Sequence, residues 1–91
     1  MARATRVLAA EYDEGAAAAL ADALVERRAR RLWRFAGMGG SQEVEICWYL
    51  VKGRMVRTER ETFFGLKVIG PAALVDALTA AVHAKLNPPA V

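Results

Sequence analysis

Residues 46–69 read ICWYLVKGRMVRTERETFFGLKVI. Two apolar runs flank the Lys52-Gly53 turn signal, and a mixed-charge segment, RTERE, follows that turn. The first run, Val44 to Val51, is rich in β-branched and aromatic residues, and the Lys-Gly pair is a hairpin signal between such runs. The chain then returns as Arg54 to Ile69, well beyond the ~5–6 residues of an ordinary strand. The middle of that return is therefore expected to project past the sheet or to carry a bulge.

Upstream, RRLWRF (Arg30 to Phe35) places Trp33 and Phe35 in period two and predicts the start of another strand. The glycines of AGMGGS (Ala36 to Ser41) predict a loop or wide bulge after it. TRVLAA, from Thr5, reads as a first, central strand. Asp13 offers an N-cap and Glu14 a favourable charge for the helix that starts at Gly15. Its apolar face is read as Ala16, Ala17, Leu20, Ala21 and Leu24, with Asp22, Glu26 and Arg30 opposite. Gly70-Pro71 ends the return strand and opens a second helix. Leu74, Leu78 and Val82, with Val75 and Ala81 beside them, form its stripe, while Asp76, Thr79 and His83 face away. Asn87-Pro88-Pro89 stops it near Lys85. The order is strand, helix, strand, strand, helix and a stub in which Ala90-Val91 can pair only briefly. This predicts an α+β, ferredoxin-like (split βαβ) sandwich over residues 1–91, βαββα with a vestigial last strand.

Of the 91 residues, 55% are hydrophobic, above the ~45–50% usual in soluble domains. A small domain with more apolar groups than its interior can hold buries the surplus against a partner, which predicts a homo-oligomer. The net charge is +3. Arg27, Arg28, Arg30 and Arg31 cluster at the end of the first helix, where cations suit the helix dipole. Arg34, Arg54, Arg57 and Arg60 are interleaved with acids, so no single basic stripe forms. Cys47 is the sole cysteine, which excludes an intrachain disulfide and a CxxC-type metal site. No run approaches the ~20 apolar residues of a membrane span, and MARATRV lacks the apolar core of a signal peptide. The default expectation is a cytoplasmic protein with no membrane partner.

Three stretches together resemble the CutA, or divalent-cation-tolerance, family. VLAAEYDEGAAAALADALVERR is similar to its opening strand, acidic turn and alanine-rich helix. CWYLVKGRMVRTERETFFGLKV resembles its aromatic hairpin, and PAALVDALTAAVHAKLNPP its second helix and following segment. Asn87 and Pro89 stand where the family has a histidine and a tyrosine, and Val51 replaces one hairpin aromatic. The resemblance implies a ferredoxin-like fold, a homotrimer joined by long hairpins across subunits, and a role linked to divalent metal tolerance or small-ligand sensing without autonomous catalysis.

For a divalent metal such as copper, the candidate ligands are Cys47 and His83. They lack paired spacing, and a stable transition-metal site takes three or four ligands. The alternative is a small basic nucleic-acid-binding module of ferredoxin-like plan, because such sheets stack bases on strand aromatics. Phe63 and Phe64 echo that signature, but Glu59 and Glu61 beside them repel phosphate, so nucleic acid is the weaker partner. No Ser/His/Asp or Cys/His arrangement has supporting spacing, and GMGGS lacks the Lys-Ser/Thr end of a phosphate loop. The favoured site is an oligomer interface formed by Trp33, Phe35, Trp48, Leu50 and Met55, with Arg57 and Arg60 fixing register through ion pairs.

Overall fold

In the computed structural model, residues 3–10, 13–39, 42–61 and 65–87 are described. The chain runs β1 (Arg3–Ala9), α1 (Glu14–Glu26), β2 (Arg30–Gly39), β3 (Gln42–Val51), β4 (Arg54–Glu61), β5 (Gly65–Pro71) and α2 (Ala72–Leu86). The strands form one antiparallel sheet in the order β1-β5-β4-β3-β2. Strands β2 to β5 make a meander, and β1 adds at its far edge beside β5. α1 therefore links the two opposite edges of the sheet.

Local chemistry explains both helices. The Asp13 carboxylate accepts a hydrogen bond from the Ala16 amide at 3.0 Å, capping α1 one residue before it begins. Alanine-rich turns then give high helix propensity and a thin profile. Ala16, Ala19, Leu20, Ala23 and Leu24 are buried. The face is thus rotated slightly from the expected one, and Ala21 is exposed. α2 buries Val75, Leu78 and Val82, with Leu74 and Ala81 packed at the margin. These residues join Val51, Val56, Leu66 and Val68 of the sheet in a single cluster, so both helices lie on one side of it. Arg6 of β1 pairs with Asp76 of α2 at 3.4 Å across the same layer.

Several expectations are corrected. The Ala36–Gly39 part of the glycine-rich segment belongs to β2, paired as far as Gly39 with Gln42; Gly40 and Ser41 lie outside the described residues. The return from Arg54 is two strands. RTERE lies within β4, with Arg57 opposite both Trp48 and Ile69, and neither projects nor bulges. Gly65, opposite Glu61, starts β5 with φ +77°. A Cβ there would stand 1.8 Å from the Ala9 carbonyl oxygen, so this approach of β1 to β5 requires glycine. β1 is an edge strand and not a central one. Along the chain, four strands separate the two helices where the split βαβ plan predicts two, and β1 lies at the sheet edge. The coarser expectation, an α+β sheet with two helices, holds. Lys52 and Gly53, with φ of 51° and 78°, make the expected tight turn between β3 and β4. The stub Ala90-Val91 lies outside the described residues. No helix among the described residues is long and apolar enough to cross a membrane.

Candidate functional site

Cross-strand register assigns every strand residue to a face, because side chains alternate and opposite residues share a side. On the side away from the helices, Trp33 lies opposite Trp48, Phe35 opposite Ile46, and Gly37 opposite Val44. The same side continues through Leu50 opposite Met55, Trp48 opposite Arg57 and Ile46 opposite Glu59. It ends with Ile69 opposite Thr5 and Lys67 opposite Val7. No described element covers this face. Trp33 and Phe35 are 54% and 47% exposed, and with Trp48 and Ile46 opposite them they form a contiguous apolar patch and not scattered single residues.

The aromatic pair is ordered by its own contacts. The rings of Trp33 and Phe35 stack with centroids 6.1 Å apart and planes 13° from parallel. Gly37 makes room for this: a Cβ at that position would meet the Phe35 ring at 3.0 Å. One strand inward, the Arg57 guanidinium sits 5.3 Å from the Trp48 ring centroid, within cation–π range. Its Nη2 also reaches the Glu59 carboxylate at 3.0 Å. The Arg57 Nε is buried without a hydrogen-bond partner, an uncompensated donor in the middle of the open face. Gln42 donates to the Glu61 carboxylate at 2.7 Å, closing the polar end of the patch. Charges of both signs, Arg57, Glu59, Glu61 and Lys67, run through the centre between apolar flanks.

Trp33, Phe35, Trp48, Leu50, Met55 and Arg57 are thus brought together on one surface, as the sequence reading grouped them. Arg60 is on the other side. It lies opposite Glu45 and Leu66 on the helix-facing side, where its Nη2 is 3.5 Å from Glu45. Glu45 also accepts from Arg34 at 2.7 Å, so one carboxylate joins cations from β2 and β4. This triad floors the part of the inner face beyond α1. Between it and α1 lies a cleft of about 140 Å3, lined by Leu20, Leu24, Tyr49, Thr58 and Arg60 among others. Burial, with Cys47 nearby, pushes the Tyr49 phenol up to about 12.

The two metal candidates are placed differently. Cys47 is buried in β3 on the helix-facing side, and His83 is exposed on α2. No group of three or more His, Cys, Asp or Glu suited to a metal ion occurs among the described residues. The stacked Trp33–Phe35 pair was missed as a unit; its signal was the aromatic-x-aromatic-x-glycine spacing of Trp33, Phe35 and Gly37 on one strand.

The chain matches no protein-family model, no curated protein and no solved structure in comparison with each.

Proposed function

We propose that this protein is a homo-oligomeric binding protein without autonomous catalysis, assembled through the open face of its sheet. The observation that carries the reading is the set of large apolar side chains, headed by Trp33 and Phe35, on a face that no described helix covers. The sequence resemblance gives its specific form: a CutA-like, cytoplasmic homotrimer linked to divalent metal tolerance or small-ligand sensing. In that form the sheet is a ferredoxin-like unit enlarged by one hairpin. Support comes from β5, which enters α2 and pairs antiparallel with β1 as that plan requires. The mixed charges of the face suit contact between identical copies, because each copy offers both a donor and an acceptor.

Light scattering at low micromolar concentration tests the assembly. A trimer of 9.9 kDa chains gives a particle of about 30 kDa; a particle of one chain's mass overturns the reading. Calorimetry with copper and zinc tests the metal role on wild type and on Cys47→Ser. Binding lost in the variant assigns Cys47 as a ligand, and binding unchanged removes it.

A second reading is favoured by the stacked aromatics on the same face as Arg30: base stacking by a small basic nucleic-acid-binding module. Its signature is single-stranded RNA affinity that falls steeply with salt and disappears in Trp33→Ala.

A further inference from the structure

A separate pocket opens where the Lys52-Gly53 turn meets the end of α1 and the start of α2. It has a volume of about 410 Å3 and is lined by Arg27, Val51, Lys52, Arg54, Ala73, Leu74 and Ala77. Volumes of about 300–1,000 Å3 are those of small-molecule sites. Its chemistry is sharply divided. Val51, Leu74 and the two alanines form an apolar lining, while three cationic side chains complete the rim. No acid appears among the described lining residues.

The cations are held in place by the local fold. The Arg27 guanidinium donates from Nη1 to the Ala23 carbonyl at 3.1 Å at the end of α1. The tight turn, with both central residues at positive φ, fixes Lys52 and Arg54 on either side of Gly53. Neither of these two takes part in any ion pair between described residues. Three like charges around one apolar cavity repel one another unless an anion enters. The first turn of α2 adds to this field, since it has no acid and no side-chain cap.

We propose that this pocket binds an amphiphilic anion, a carboxylate or phosphate head on a small apolar body, with Arg27, Lys52 and Arg54 on the head and Leu74 and Ala77 against the body. The proposal is independent of the assembly reading, because none of these residues lies among the open-face aromatics.

Calorimetric titration of the intact chain with octanoate, and in parallel with inorganic phosphate, tests it. Octanoate is expected to bind saturably with one site per chain, more tightly than phosphate and less tightly as salt rises. Ala73→Glu places an acid beside the cations in the first turn of α2, where it favours the helix. It should weaken octanoate binding by about tenfold or more while the urea midpoint holds or rises. Lys52→Ala combined with Arg54→Ala should produce a similar loss. No saturable octanoate binding up to about 10 mM, a generous limit for a ligand of that size, overturns the proposal. So does equal affinity in wild type and both variants, and so does phosphate binding as tightly as octanoate.

Discussion

The fully buried positions under the helices and the apolar positions of the open face obey opposite size rules. Under the helices stand Cys47, Val51, Val56, Thr58, Leu66 and Val68, small or medium groups matched to alanine-faced α1. On the bare side stand Trp33, Phe35, Ile46, Trp48 and Met55, and the most voluminous of these are not in the core at all. A domain stabilised from within would use its largest apolar residues inside. Here the closed face is responsible for the fold, while the open face keeps its large apolar area outside the core. The three cations of the α2 pocket belong to neither set, since they sit at the end of the sandwich.

Substitutions can break this contrast. The largest effect is expected from Leu78→Ala, fully buried in α2, which should lower stability by about 3 kcal/mol in urea unfolding; a loss below 1 kcal/mol would show that the helix layer is not the core. Next, Trp33→Ser with Phe35→Ser should weaken self-association by about 2 kcal/mol or more. The same pair should leave the unfolding midpoint of the dilute chain nearly unchanged, and a large drop there would merge the two faces into one core.

A smaller effect concerns Tyr49, on the closed side. Its folded pKa of about 12 lies above the ordinary value of 10.0, so the folded state keeps the proton that the unfolded state releases. The resulting stability is complete below pH 10 and is lost as pH rises towards 12. With solvent screening of the partly exposed ring it amounts to about 1 kcal/mol. Urea midpoints on either side of that window should fall more in wild type than in Tyr49→Phe, and parallel falls would place the ring in water. The smallest effect is Glu59→Gln, expected to cost about 0.5 kcal/mol or less for a surface pair with Arg57. A cost above 2 kcal/mol would mean that the pair is desolvated by a neighbouring copy.

Sequence reasoning reached the helices because caps and alanine periodicity are local. It also reached the Lys52-Gly53 turn, whose residue types meet a backbone demand directly. It missed the strand character of Ala36–Gly39, since glycine normally signals a break and nothing local shows that Gly37 makes room for the Phe35 ring. The division of the return into β4 and β5 was hidden for a related reason. Its decisive residue, Gly65, is required by a contact with Ala9, far away along the chain. Arg60 was assigned to the wrong company although strict alternation from Arg57, three residues earlier, already puts it on the opposite face. The open face itself was legible as an excess of large apolar groups, but its boundaries needed the register.

The seam between β1 and β5 has a consequence for how the molecule is made. Strands β2 to β5 zip through successive short hairpins, whereas joining Arg3–Ala9 to Leu66–Pro71 closes a loop of about sixty residues and carries a larger entropic toll. By that argument β1 is expected to dock after the segment that receives it has left the ribosome. Until it does, β5 has a raw margin of unpaired amides and carbonyls, and a nascent chain is at its most adhesive there.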